Sequence, residues 1–252
     1  MHAVAVVQAR MGSTRLPGKV MLPLAGEHVL VHDVRRLRAA ERIDEVVVAT
    51  SDLPRDDIVA RCAERAGVSA FRGDESDVLG RMHGAAAAHD AEIVVRATGD
   101  DPLVSPELAD ALVRAVADGA DYAGNTLERT FPQGLILEAV SMDSFDRVES
   151  ASTEPHQREH VTQYYLEDPG SFDLRNLVWS DVYDREPALG RGEVRLALDE
   201  ADDYELLRAV YEGVQPDERG IVPIHDAIEY VAREGLADTN LHVNQTQVRG
   251  DE

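Results

Sequence analysis

The stretch Ala3-Val-Ala-Val-Val7, followed by Gln8-Ala-Arg-Met-Gly-Ser-Thr-Arg-Leu-Pro-Gly-Lys19, decides the fold. Five apolar residues read as a strand buried on both faces, because a half-buried strand would alternate with polar residues. The loop that follows carries three cations, Arg10, Arg15 and Lys19, with hydroxyls on Ser13 and Thr14. Gly12 and Gly18 let the backbone approach a ligand closely. The same grammar continues downstream. Strands are predicted at Glu45 to Thr50, Val68 to Phe71 and Glu92 to Ala97. Helices are predicted at Val29 to Leu37, Ile58 to Ala66, Val78 to His89 and Leu108 to Val116. Strands alternating with helices through short loops predict a mostly parallel, Rossmann-like α/β sheet with helices on both faces. Ligands in such folds bind beyond the carboxyl ends of the strands. Gln8 to Lys19, Thr50-Ser51-Asp52 and Thr98 to Pro102 all lie at such ends.

Charge sharpens the reading of the first loop. The chain has 252 residues, 48 acidic and 25 basic, for a net charge of −23. So acidic a surface repels phosphate backbones and argues against nucleic-acid binding. It suits high salt, where screening relieves self-repulsion, and predicts a halophilic protein. Lys19 is the one lysine. A cationic loop in this chain calls for an anion, and a triphosphate fits three cations. The spacing is not that of a P-loop, since Val20 follows Lys19 and the glycines are too far apart. Nor is it the Gly-x-Gly-x-x-Gly of dinucleotide binders.

A second loop, Arg96-Ala-Thr-Gly-Asp-Asp-Pro102, sets adjacent carboxylates after a glycine. Magnesium takes few protein carboxylates and keeps its other positions for water and phosphate oxygens, so Asp100 and Asp101 suit it. Helix capping is the structural alternative for either. Asp199, closing the apolar run Val194 to Leu198, is a third candidate, while Asp202 and Asp203 read as helix-start residues.

Beyond about Asp121 the rhythm changes. Phe131 to Val140 and Phe172 to Trp179 read as strands of a smaller mixed section, with a polar helix over Glu154 to Leu166 between them. Val194 to Leu198 reads as a return strand, and Ile224 to Arg233 as a closing helix before a polar tail after Thr239. Cys62 is the single cysteine and reads as a buried thiol on a helix face with Ile58, Val59 and Ala66. Trp179 and Tyr183 read as packing residues, His83 and His89 as surface or packing residues. Arg72 and Arg81 divide between substrate contact and salt bridges. No segment has the length of a membrane span and no signal core is visible, so a cytoplasmic protein is expected.

Taken in order, the first loop, Val47-Val-Ala-Thr-Ser-Asp52, Phe71-Arg-Gly-Asp74, Asp77-Val-Leu-Gly-Arg81, Thr98-Gly-Asp-Asp-Pro-Leu103, Arg158-Glu-His-Val-Thr162 and Leu198-Asp199 form a set. It resembles the spore coat polysaccharide biosynthesis cytidylyltransferases, relatives of the CMP-sialic acid and CMP-KDO synthetases, over roughly residues 3 to 212. The resemblance implies a nucleotide-diphospho-sugar transferase fold: a nucleotidyltransferase domain over 1–212, with an insertion at about 130–180 for sugar contact and dimerisation, then a C-terminal helix and polar tail over 213–252. It implies magnesium-dependent transfer of CMP from CTP to an acidic sugar of the sialic, legionaminic or KDO kind, with release of pyrophosphate, for surface polysaccharide synthesis. Arg10, Ser13, Arg15 and Lys19 would hold the triphosphate. Ala9, Gly12, Thr50, Asp52, Arg72, Thr98 and Gly99 would complete the nucleotide side. Arg10, Arg15, Lys19 and Asp100 would serve catalysis, and Asp100 and Asp199 would hold magnesium. Gln133, Glu138, Glu159 and His160 would face the sugar. Relatives often carry cysteine where this chain has Asp101, which leaves open whether Asp100 or Asp101 binds the metal; Asp100, directly after the glycine, is the preferred one.

Three other readings compete. A glycosyltransferase of the same fold would use an Asp-x-Asp motif, which Asp100-Asp101-Pro102 does not supply. His156-Gln-Arg-Glu-His160 spells an inverted zinc-hydrolase motif, with two histidines on one helical face but no third ligand identifiable. A non-catalytic nucleotide-binding module is the third. The resemblance also implies a homodimer through the mixed section. Light scattering at working concentration is expected to give twice the 27.6 kDa chain mass, and a monomeric mass rejects it.

Overall fold

The computed structural model describes residues 1–243. The end of the polar tail, 244–252, lies outside the described residues. The chain runs β1 (Ala3–Gln8), β2 (Pro23–Leu24), β3 (Glu27–His28), α1 (Val29–Arg38), β4 (Glu45–Ser51), α2 (Asp57–Arg65), β5 (Ser69–Gly73), α3 (Val78–Ala88), β6 (Ile93–Thr98), α4 (Pro106–Ala117) and β7 (Tyr122–Gly124). It continues through β8 (Glu138–Ser141), α5 (Met142–Ala151), α6 (Pro155–Glu159), α7 (Gln163–Glu167), β9 (Leu174–Asn176), α8 (Trp179–Val182), α9 (Ala201–Gly213) and α10 (Ile224–Arg233). One seven-stranded sheet has the order β5-β4-β1-β6-β8-β7-β9, and β2 and β3 form a small antiparallel pair. β1 lies parallel to β4 and β6, and β4 parallel to β5. β8 is the reversed strand, antiparallel to β6 and β7.

The apolar run of β1 is buried on both faces, as its composition predicts. Ala3, Ala5 and Val7 enter a core with residues of α1, α2, α4, α9 and α10, while Val4 and Val6 enter a second core with residues of α3, α5 and α7. Each fully buried valine contributes about 1.5–3 kcal/mol, which anchors β1 as the centre of the sheet. The helices carry their own start signals. Ser105 caps α4 through the Leu108 amide at 3.0 Å, with Pro106 at the first helical position. Asp77 caps α3 through the Gly80 amide at 2.9 Å.

The first half of the chain follows the sequence reading closely, and the second half departs from it. Only Glu138–Ser141 of the segment predicted as a strand over 131–140 is a strand, and only Leu174–Asn176 of 172–179. Residues 131–137 meet scattered partners instead of a β-ladder: the Leu196 amide donates to the Gln133 carbonyl at 2.7 Å, and a side chain serves Leu135 and Leu137. Asn125 Nδ2 donates to the Leu135 carbonyl at 2.6 Å, and its Oδ1 accepts from the Leu137 amide at 3.2 Å. Val194 to Leu198 is not a strand either; it touches 133 through a single bridge, Gln133 to Arg195. The mixed section extends the main sheet and does not form a sheet of its own. The helix predicted over 154–166 is two short helices, α6 and α7, broken where Val161 takes φ +47°. That conformation is costly for a β-branched residue, by about 1–3 kcal/mol, and the full burial of Val161 in the second core holds it there. Cys62 is buried with Val59 as expected, but Ile58 is 41% exposed, outside that face. Trp179 and Tyr183 pack on each other at 4.4 Å between ring centroids.

Asp77 does more than cap. Its carboxylate also pairs with Arg158 of α6 at 2.5 Å and so fastens α6 to α3. Burial pushes the Asp77 carboxyl up, but the Arg158 guanidinium and the Gly80 amide outweigh it and hold it below the usual carboxylate range. A carboxylate depressed on folding stabilises fully above its unfolded value, near pH 4, and loses that contribution as pH falls through the depressed one. Asp77→Asn keeps a capping oxygen and removes the charge. It is expected to cost about 1–2 kcal/mol at pH 7 and less at pH 2.5, read by urea unfolding at both. Equal losses at the two pH values would reject the ionic contribution.

Candidate active site

β1 sits where the chain turns from β4 and β5 on one side to β6 on the other, the place where open α/β sheets bind ligands. Gln8 at the end of β1 is in register with Thr98 at the end of β6, so the two polar loops leave the sheet side by side. They touch at once, since the Gly99 amide donates to the Gln8 carbonyl at 2.9 Å. A Cβ at Gly99 would stand 3.0 Å from that of Ala9 and 3.2 Å from the Gln8 carbonyl, so glycine is what allows the loops to lie this close.

The first loop closes on itself. The Ser13 and Gly18 amides both donate to the Met11 carbonyl at 3.0 Å, and the Met11 amide donates to Asp56 at 2.7 Å. Gly18 has φ +71° and leads into a short 3-10 turn, Lys19–Met21. The left-handed conformation there is the reason for the glycine. It swings the chain so that Lys19 turns inward.

Lys19 is buried, and its Nζ makes three contacts. It donates to the Leu198 carbonyl at 2.7 Å and to Asp199 Oδ1 at 2.9 Å, and it pairs with Asp100. Burial opposes the charge, yet the Asp100 and Asp199 carboxylates prevail and hold the ammonium above the usual lysine range. Burial likewise pushes Asp199 up, and Lys19, Arg195 and Arg15 outweigh it and hold the carboxyl low. Arg15 reaches Asp199 at 3.0 Å. Behind Asp199 lies a buried pair: Arg195 Nε donates to Asp203 Oδ1 at 2.9 Å, and Arg195 Nη2 to Asp199 Oδ2 at 2.5 Å. Asp203 also accepts from the Asp199 and Glu200 amides at 2.8 and 2.9 Å. It is therefore a helix-start residue, as its position predicts, and the anchor of the Asp199 segment as well.

The two adjacent aspartates separate in role. Asp100 lines the cleft beside Lys19. Asp101 turns to Thr98 and accepts from its hydroxyl at 2.7 Å, and burial and the Asp100 charge push its carboxyl well above the usual range. The cap of the next helix is Ser105, so neither aspartate is needed for that purpose. Beneath them Asp33 of α1 is fully buried, with no hydrogen-bond partner for either oxygen among the described residues. Burial, then Asp101 and Asp100, push its carboxyl well above the usual range too.

A cleft of 470 Å³ opens over this arrangement. Of the residues expected at the site, it brings together Ala9, Arg10, Gly12, Ser13, Arg15, Lys19, Thr98, Asp100, Glu159, His160 and Asp199. An adjoining cavity of 840 Å³ shares Arg10 and Glu159 and adds Asp52. The remaining expected residues lie elsewhere. Thr50 is fully buried within β4. Arg72 turns away to Asp57 at 2.6 Å and to the Ser51 and Leu53 carbonyls, both at 3.0 Å. Gln133 accepts from Arg195 at 2.7 Å.

Glu138 is buried and faces inward. It pairs with Arg96 at 2.5 Å and accepts from the Tyr122 hydroxyl at 2.6 Å and the Thr162 hydroxyl at 3.0 Å. Arg96 itself lines the cleft, as does Arg81, whose Nη1 donates to the Asp74 and Glu75 carbonyls. Arg96 carried no functional reading in the sequence, though a lone arginine in the apolar run Ile93 to Ala97 was the available signal.

Two carboxylates that share one cation, with hard oxygen donors and phosphate-sized space in front, fit a magnesium ion that completes its shell with water and phosphate. His156 bonds Glu167 at 2.7 Å, and His160 follows the end of α6. Among the described residues no group of three metal-ligating side chains forms, so the zinc reading finds no third ligand. No helix among the described residues is long and apolar enough to cross a membrane.

Comparison with known proteins agrees with this geometry. The chain is 36% identical over 220 residues to the spore coat polysaccharide biosynthesis protein SpsF of Bacillus subtilis, covering 84% of this chain and 88% of the relative. It is 35% identical over 165 residues to a 3-deoxy-manno-octulosonate cytidylyltransferase of Anaeromyxobacter dehalogenans, covering 62% and 66%. Among solved structures, a cytidylyltransferase from Leptospira borgpetersenii superposes with a TM-score of 0.83 at 29% identity, over 98% of both chains. The sheet order and the two strand-end loops thus carry the nucleotidyltransferase fold that the sequence predicted. The family pattern for cytidylyltransferases matches residues 4–215, and the chain belongs to that family.

Proposed function

We propose that this chain transfers CMP from CTP to an acidic sugar and releases pyrophosphate, supplying an activated sugar for surface polysaccharide. The observation that carries the reading is the buried Lys19 ammonium between Asp100 and Asp199, with Arg10 and Arg15 around the same cleft. Five charged groups, three cations and two carboxylates, of the right signs for a metal triphosphate converge there. The names of the similar proteins support cytidylyl transfer for polysaccharide and for a ketodeoxy sugar acid.

In this reading a sugar hydroxyl attacks the α-phosphorus in line, and the bond to the pyrophosphate oxygen breaks. Positioning and charge neutralisation do most of the catalytic work. The loop from Ala9 to Lys19 and the Thr98-Gly99 turn hold the phosphates. Arg10, Arg15 and Lys19 balance the charge that gathers on the departing pyrophosphate. Asp100 and Asp199 would hold magnesium, which when bound neutralises phosphate charge and favours ionisation of a bound hydroxyl. The insertion at 130–180 would carry the subunit contact of a homodimer.

On the sugar side, Glu159 and His160 line the cleft. A buried carboxylate is a poor partner for an acidic substrate, so Glu138 takes a different part. It holds the Arg96 guanidinium toward the cleft, where a planar fork suits a sugar carboxylate.

Pyrophosphate release with four nucleoside triphosphates against a panel of sugar acids, with magnesium, is the direct test. CTP with at least one acid is expected to be turned over, and silence with CTP on the whole panel rejects the reading. Lys19→Ala is expected to lower turnover by about 100-fold or more, the scale for loss of one electrostatic stabiliser; near-normal release would remove Lys19 from the chemistry. Arg96→Gln should raise KM for the sugar acid by about 10-fold or more and leave KM for CTP nearly unchanged. An equal effect on both substrates would show that Arg96 does not read the carboxylate.

A further inference from the structure

On one face of the sheet, a cavity of 810 Å³ lies between α1 and α2. Its wall reverses the charge balance of the chain. Acidic residues outnumber basic ones 48 to 25 overall, yet Arg35, Arg38, Arg61, Arg65 and Arg219 line the cavity against one carboxylate, Glu27.

Two of these arginines are already engaged. Arg35 pairs with Glu27 at 3.5 Å, and Arg219 with Asp217 at 2.8 Å and Glu107 at 3.0 Å. The others are not neutralised. Arg38 donates only to the Ala66 carbonyl, at 3.3 Å. The Arg61 and Arg65 side chains make no ion pair or hydrogen bond with any described residue. They stand four residues apart on α2, hence on one face, where like charges repel. In a chain with so many carboxylates, an arginine cluster without carboxylate partners leaves guanidinium donors on the cavity wall that an anion can meet.

We infer that the α1–α2 groove is a second anion site, for an oligophosphate, separate from the nucleotide cleft. The volume is that of a small-molecule site. Guanidinium forks bind phosphate oxygens two at a time, and three such forks match the several charges of a di- or triphosphate chain better than one small monoanion. Val31, Val34 and Ile58 give the groove an apolar side on which an attached nucleoside can rest. Met21 also lines the groove, two residues after Lys19 of the cleft, so the turn Lys19–Met21 is a wall common to both.

Isothermal titration calorimetry with inorganic tripolyphosphate and, separately, CTP tests the site in low-salt buffer. Arg61 and Arg65 are exposed, so Arg61→Gln/Arg65→Gln folds as the parent, with an unchanged Tm as the check. Wild type is expected to bind tripolyphosphate at two classes of site. Arg61→Gln/Arg65→Gln is expected to weaken one class by about 10-fold or more and keep the other, while Lys19→Ala weakens the second class alone. Binding of CTP to the Arg61-dependent class would identify a nucleotide as occupant, and binding of tripolyphosphate alone a free oligophosphate. A single class of site in wild type, or two classes unaltered in Arg61→Gln/Arg65→Gln, overturns the proposal. Because binding is read without turnover, this result stands apart from whether any sugar acid is a substrate.

Discussion

One buried ammonium joins the three segments that make the site. Lys19 comes from the loop after β1, Asp100 from the loop after β6, and Asp199 with the Leu198 carbonyl from a segment far along the chain. None of these segments lies in a strand or α-helix at the point of contact, Lys19 opening only a short 3-10 turn. Without the cation, two carboxylates would face each other in a half-buried setting, where like charges cannot both stay ionised cheaply. The lysine therefore assembles the site as well as charging it. It also explains how a strongly acidic chain keeps two carboxylates close together beside a phosphate-sized space.

Behind that contact stands a second layer that does the work a β-ladder would do elsewhere. Residues 194–200 lack strand partners, so their position depends on Arg195, Asp203 and Asn240. Asn240 Nδ2 donates to the Arg195 carbonyl at 3.0 Å and to Asp203 at 2.8 Å. The Arg96 side of the cleft is held in the same manner. The strained Val161 sets Thr162 against Glu138, and Glu138 sets Arg96. In both places a buried ion pair, costly to desolvate, is retained because it fixes a side chain in the cleft.

The difference between these two halves explains what could be read from the sequence. β1 to α4 were legible because fully buried strands and amphipathic helices each impose a period, and the caps at Asp77 and Ser105 mark where helices begin. Residues 131–137 and 194–198 are as apolar as strands, but their amides are met by Asn125 and by carbonyls distant in sequence, which no local pattern encodes. The cationic loop was legible because it contradicts the charge of its own chain. The Arg96–Glu138 pair was not, since its partners are 42 residues apart and only the antiparallel register of β6 and β8 brings them together. That register also sets Glu138, expected to face the sugar, against Arg96 within the sheet.

The scarcity of lysine has a practical corollary. Because every other basic side chain is arginine or histidine, the molecule has a single side-chain amine, and it lies at the junction of the three site segments. A methyl group or isotope introduced by reductive alkylation would place a single side-chain resonance at that junction, beside that of the Met1 α-amine. The protein thus carries a built-in spectroscopic probe whose shift and line width report the state of the cleft without any engineered label.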